Sequence, residues 1–173
     1  MQYRKFGKLD FTVSALGFGA MRLPEKDGKI DEAEATKMLH YAIDNGVNYV
    51  DTAYPYHDGQ SEVFLGKALK GGYREKVKLA TKLPSWMIKN ADDFDEYLNE
   101  QLKRLGQDSV DIYLLHTLNH ENWPKLRDLG VIEWAEKARR EGKFQYLGFS
   151  FHDDGDAFAP IVDAYDWDLC QIQ

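Results

Sequence analysis

An acid, a lysine and a histidine stand at the same kind of place in this sequence, each directly after a short apolar run. Asp51 follows Tyr49-Val50, Lys82 follows Leu79-Ala80-Thr81 and His116 follows Leu114-Leu115, while Ser150 and Gln171 hold the matching places after Gly148-Phe149 and Leu169-Cys170. One polar residue at such a place is commonly a cap or turn residue. A carboxylate, an amine and an imidazole together are the groups of general acid–base chemistry; a Schiff-base nucleophile is the alternative use of the lysine, against which the adjacent Asp51 and Tyr56 speak. His116 and His120 have the spacing of metal ligands on a helix. The segment His116-Thr117-Leu118-Asn119-His120 lacks the interposed Glu, however, and reads as loop, so no metal ligand is assigned.

These groups act together only if the chain brings the ends of the runs to one rim. Val47 to Val50, Val77 to Ala80, Val110 to Leu115 and Tyr146 to Phe149 are rich in β-branched or aromatic side chains, as buried parallel strands are. Between them lie polar stretches with apolar residues at helical spacing. One runs from Asp31 through Ala35, Leu39 and Ile43; a second carries Phe94, Tyr97, Leu98, Gln101, Leu102 and Leu105; a third carries Val131, Trp134, Ala135 and Ala138. Asp31 with Glu34 forms a capping-box-like start, and Asn45-Gly46, Leu105-Gly106 and Glu141-Gly142 form stops. The alternation predicts strands near 15–18, 47–51, 77–81, 110–115, 146–149 and 169–173, preceded by a small hairpin. Repeated βαβ units build a parallel sheet, and such sheets bind ligands at the carboxyl ends of their strands.

The loop after the second predicted strand reads Asp51-Thr52-Ala53-Tyr54-Pro55-Tyr56-His57-Asp58-Gly59-Gln60-Ser61-Glu62 and ends at an expected helix cap, Ser61. An Asp, a Tyr five residues later and a following Gly-x-Ser-Glu resemble the signature of the aldo-keto reductase family. Leu16-Gly17-Phe18-Gly19, Thr81-Lys82, Asp111 with Leu114-Leu115-His116, and Gly148-Phe149-Ser150 extend the resemblance over residues 1–173. It implies a (β/α)8 TIM barrel, of which this chain holds the amino-terminal hairpin, five β/α units and the sixth strand. It also implies reduction of aldehydes or ketones with NADPH, NADH being the alternative cofactor. The family's catalytic tetrad falls on Asp51, Tyr56, Lys82 and His116. In that scheme Tyr56 is the proton donor, Lys82 the charge beside it, Asp51 the partner of Lys82, and His116 the donor that orients the carbonyl.

The resemblance further implies that Gly19, Ala20, Met21, Ser150 and Gln171 line the nicotinamide. Gly17-Phe18-Gly19 lacks the third Gly and the spaced acid of a Rossmann fingerprint, which excludes that fold. Phe151-His152 follows Ser150 where the family often has an Asn, so Ser150 or His152 is expected to serve alone. Together with Tyr54-Pro55-Tyr56-His57 this variant resembles a prokaryotic branch that often carries a Cys-rich segment further downstream; an iron–sulfur cluster is expected only with such a segment. Trp86, four residues past Lys82, is the tryptophan expected on a rim loop and in the substrate pocket wall. Asp111 and His40 read as structural. Two other functions stay open: a non-catalytic accessory subunit with this fold, and a Schiff-base barrel enzyme using Lys82.

The 173 residues are 43% apolar and 29% charged with a net charge of −7, which fits one globular domain over 1–173. The acidic balance speaks against nucleic acid or an anionic membrane as partner; the partner that the resemblance implies is a small carbonyl compound. The basic run Lys137-Ala138-Arg139-Arg140 falls at a predicted helix end, where cations oppose the dipole. A single cysteine, Cys170, excludes an internal disulfide and fits a reducing compartment. Tyr3-Arg4-Lys5 before Phe11 to Met21 superficially copies a secretory signal, but Ser14, Gly17 and Gly19 interrupt the run. No stretch reaches the ~18 apolar residues of a membrane helix, so a cytoplasmic protein is expected. A (β/α)8 barrel takes about 250 residues and commonly binds phosphate after strands seven and eight. The expectation is therefore the amino-terminal part of a longer reductase, incomplete at the carboxyl end.

Overall fold

The chain opens with the expected antiparallel hairpin, β1 (Tyr3–Lys5) paired with β2 (Thr12–Ser14). In the computed structural model, which describes residues 1–172, β3 (Phe18–Gly19) follows. A second hairpin, β4 (Glu25–Lys26) with β5 (Lys29–Ile30), comes next and has no counterpart in the sequence reading. From there the βα alternation is regular: α1 (Glu32–Asp44), β6 (Tyr49–Asp51), α2 (Gln60–Ala68), β7 (Lys78–Leu83), α3 (Asp92–Leu105) and β8 (Val110–Leu118). The fourth connection holds two helices, α4 (Asn122–Asp128) and α5 (Val131–Arg140). β9 (Phe144–Phe151), α6 (Gly155–Val162) and β10 (Leu169–Ile172) complete the described residues.

Strands β3, β6, β7, β8, β9 and β10 pair side by side in chain order, all in parallel, as one curled sheet of the (β/α)8 kind. The two-residue period of a strand gives this sheet two apolar faces. Leu79, Leu83, Tyr113, Leu115, Leu147 and Phe149 face outward and pack with Leu39, Phe64, Leu98, Leu102 and Ala135 of the helices. Ala80, Ile112, Leu114, Tyr146 and Leu169 face inward and form a smaller core with Leu9. The first hairpin covers the amino end of that inner core: the Phe11 ring lies 5.5 Å from Tyr146 and Phe6 lies 6.3 Å from Tyr49.

Local chemistry explains most boundaries. Asp31 caps α1 by accepting from the Glu34 N–H, and Gly106, at φ 61°, ends α3. Three expectations are corrected. The first core strand is Phe18–Gly19 rather than 15–18, because Ala15 still donates to Gln2 and the Ser14 hydroxyl to the Leu16 carbonyl. Residues 116–118 are strand, not loop: β8 runs to Leu118 through a bulge, with Thr117 at φ 55° and its N–H held by the Ser150 hydroxyl of the next strand. Ser61 does not cap α2. A left-handed run at His57, Asp58 and Gly59, with φ of 51°, 53° and 84°, delivers the chain into the helix two residues earlier, with Gly59 at the cap. Residue 173 of the sixth predicted strand lies outside the described residues.

Candidate active site

The inward-facing period carries upward from the inner core to the site. Ala80 leads to Lys82, Ile112 and Leu114 lead to His116, Tyr49 to Asp51, and Tyr146 through Gly148 to Ser150, so four polar residues emerge on the inner face at the carboxyl ends. There Lys82, only 1% exposed, donates to three oxygens: Asp51 Oδ1 at 2.6 Å, the Thr52 carbonyl at 2.9 Å and Tyr56 Oη at 3.1 Å. Tyr56 stands edge-on to His116, ring centres 5.8 Å apart, and the Trp86 ring centre lies 5.2 Å from that of the same imidazole. A cleft of about 420 Å³ opens over this group, lined by Asp51, Tyr56, Lys82 and His116 together with Gly19, Met21, Arg22, Ser150, His152 and Gln171.

Burial sets the protonation of the group. It pushes the Asp51 carboxyl above the ordinary carboxylate range, against the opposing pull of the Lys82 ammonium. It also lowers His116 to about 3, helped by the charges of Lys82 and His152, so this imidazole is neutral at physiological pH. His116 Nδ1 is buried without a hydrogen-bond partner. An orphaned acceptor is tolerated better than an orphaned N–H, so we assign the proton to Nε2, which makes the residue a hydrogen-bond donor.

Tyr56 is placed by its loop. The Tyr56 N–H donates to the Ala53 carbonyl, and its own carbonyl accepts from Gly59 and Ser61. His57 ties the same loop to the segment after β3: its Nε2 accepts from the Leu23 N–H at 3.0 Å and its Nδ1 meets Glu25 at 2.8 Å. Since Nε2 accepts, Nδ1 carries the proton. Ser61, expected as a cap, is buried and donates to the Ala20 carbonyl while meeting Thr52 Oγ1.

All four tetrad positions therefore converge, and Gly19, Met21, Ser150 and Gln171 join them in the cleft. Ala20 does not: it has no exposed surface, and its N–H and carbonyl are spent on the Asp51 carbonyl and the Ser61 hydroxyl. Trp86 is exposed at the rim, whereas Trp123 and Trp134 pack among other aromatics away from it. Asp111 binds Arg74 and Lys78 at the opposite ends of the strands, and His40 stacks on Tyr73, both structural roles as expected. Among the described residues no group of three or more His, Cys, Asp or Glu is placed to hold a metal, and no helix is long and apolar enough to cross a membrane. Sequence reasoning missed Arg22, an exposed loop residue with no distinguishing signal. It also missed what lies behind Lys82: Glu62, Gln101 and Arg104, buried or half-buried polar groups beneath the tetrad.

The model of the aldo/keto reductase family matches residues 15–161. A probable aldo-keto reductase of Glycine max is 32% identical over 155 residues, covering 84% of this chain and 44% of that protein. The holo form of an aldo-keto reductase from Bacillus halodurans superposes with a TM-score of 0.84 at 30% identity, over all of this chain and 57% of the other. An aldo-keto reductase of Klebsiella pneumoniae in complex with NADPH gives 0.72 at 27% identity, over 90% of this chain and 51% of its own. The chain thus spans about half the length of these relatives.

Proposed function

The chain belongs to the aldo/keto reductase family, and from that premise we propose that it reduces aldehydes or ketones to alcohols with hydride from NADPH, Tyr56 being the proton donor. The observation that carries this reading is the Lys82 ammonium held between Asp51 at 2.6 Å and the Tyr56 hydroxyl at 3.1 Å, beneath a cleft that His116 also lines. The residues present suit a nicotinamide. Ser150 accepts from the Thr117 N–H, which leaves its own O–H free to donate, and the Gln171 amide faces the same cleft. When bound, the cofactor supplies the hydride. This chain's residues manage the oxygen: neutral His116 donates to the carbonyl and orients it, and Tyr56 gives its proton as charge develops there. Lys82, fixed by Asp51 and the Thr52 carbonyl, places its positive charge against the phenol oxygen that gives up the proton.

The same contacts speak against Lys82 as a Schiff-base nucleophile. An amine that attacks a carbonyl needs a free lone pair, and this nitrogen donates to three acceptors. The accessory-subunit reading has no observation in its favour beside an intact tetrad. Trp86, exposed and with its ring tilted against that of His116, is proposed as a wall of the substrate pocket. The single exposed Cys170 is compatible with work in the reducing cytoplasm. The test is oxidation of NADPH by small aldehydes in the full-length protein. Tyr56→Phe is expected to lower kcat by about a hundredfold or more while NADPH still binds in a fluorescence titration. Parental turnover in that variant would overturn the assignment.

A further inference from the structure

Behind the sheet, on the side away from the cleft, lies a polar cluster that the catalytic scheme leaves unused. Glu62, Thr81, Gln101 and Tyr113 are all completely buried, each at 0% exposure, amid the outer apolar core. Tyr113 donates to Gln101 Oε1 at 2.7 Å, which fixes the amide so that its nitrogen must donate. That nitrogen faces Glu62 Oε1 at 2.8 Å, Thr81 Oγ1 at 2.9 Å and the backbone carbonyl of Lys82 at 3.0 Å. Thr81 in turn donates to Glu62 at 2.6 Å. The other oxygen of Glu62 meets Arg104 at 3.5 Å, and Arg104 donates to the Tyr54 carbonyl at 3.3 Å with its guanidinium 4.1 Å from the Tyr54 ring.

Glu62 is thus a hub with two arms. One, through Thr81 and Gln101, ends on the backbone of Lys82; the other, through Arg104, ends on the loop that carries Tyr56. A carboxylate so deeply buried is costly, and of its three hydrogen-bonding neighbours only Arg104 is charged. Burial pushes its carboxyl above the ordinary range while Thr81, Gln101 and Arg104 pull it back. We infer that Glu62 is a positioning residue: with Gln101 it sets the separation of Lys82 from Tyr56, holding both from behind without touching substrate or cofactor. The inference rests on the proposed reductase reading for its kinetic consequence, and on geometry alone for the separation.

The experiment is Glu62→Gln, with Gln101→Met as a second variant and Leu98→Ala as control. Leu98 shares α3 and the core with Gln101 but lies outside the hydrogen-bonded set, so its loss lowers thermal stability without releasing Lys82. Crystal structures of the full-length variants are expected to show Lys82 Nζ and Tyr56 Oη further apart than 3.1 Å in both hub variants. Their kcat is expected to fall by on the order of ten- to a hundredfold with the carbonyl KM moved less than about twofold, because misplacement acts on the transition state. Leu98→Ala should reproduce the loss of melting temperature and neither of the other effects. An unchanged separation, an unchanged kcat in both hub variants, or the same kcat loss in Leu98→Ala overturns the inference. Should the parent protein reduce no carbonyl compound, the reductase reading fails by itself and the measured separation still decides the role of Glu62.

Discussion

At the scale of single residues, the same burial that sharpens the site makes it sensitive to acid. His116 is lowered from the ordinary 6.5 to about 3, first by burial and then by Lys82 and His152. Between those values the unfolded chain binds a proton that the folded one refuses, so stability rises with pH across the window and is lost as pH falls through it. A shift of that size corresponds to on the order of a few kcal/mol. Denaturant titrations from pH 7 to pH 3 should therefore give a steeper fall for the parent than for His116→Asn; parallel curves would show that the imidazole protonates freely in the folded state. The tetrad was legible because each member combines a chemically apt type with a strand-end position or a signature spacing. The positioning residues were harder to read. Gln101 stands in the apolar stripe of its helix with Phe94, Leu98 and Leu102, a place where a buried amide demands partners, yet nothing along the chain names Glu62 and Lys82 as those partners. Ala20, one of three consecutive residues expected in the cleft, turns inward because Asp51 and Ser61 claim its backbone, a contact between segments far apart in sequence.

At the scale of elements, positions decided within a few residues were readable and positions decided across the fold were not. The Asp31 cap and the Gly106 stop are local, and both stand where the sequence puts them. The start of α2 depends on the left-handed turn at 57–59, and the end of β8 on a hydroxyl supplied by β9; neither leaves a local mark. Helix α2 carries another such contact. A Cβ at Gly66 would stand 2.6 Å from the Leu105 carbonyl oxygen and 2.8 Å from that of Arg104, the backbone of α3 itself. Gly to Ala inside a helix ordinarily stabilises by about 1 kcal/mol. Overpacking against a backbone that cannot step aside costs about 1–3 kcal/mol, and at these distances it wins. Gly66→Ala is expected to lose stability in urea titrations, and, since α3 holds Gln101 and Arg104, to lose turnover with it. A neutral or stabilised variant would mean that α2 and α3 separate freely, and the hub they share could not then hold Lys82 in register.

At the scale of the whole molecule, curling six parallel strands in chain order leaves β3 and β10 each paired on one side only among the described residues. Between these edges the inner face is apolar, with Phe6, Val13, Tyr49 and Leu169 lining a shallow groove, and Ile172 on β10 is 60% exposed. A strand edge beside exposed apolar surface is a template for another chain. The 173-residue chain studied by itself is therefore expected to self-associate in sedimentation velocity runs as its concentration rises. Ile172→Lys should weaken that association, because a charge on the edge disfavours pairing while the strand keeps its register with β9. A concentration-independent monomer would refute the edge argument. The tetrad sits on β6, β7 and β8 and on the loop after β6, away from both edges, whereas Gln171 lies on β10 itself. Pairing at that edge should consequently leave the Lys82 to Tyr56 contact intact and act on the side of the cleft where Gln171 is proposed to meet a nicotinamide, so that association and the proposed NADPH binding are expected to compete while the Lys82–Tyr56 pair does not change.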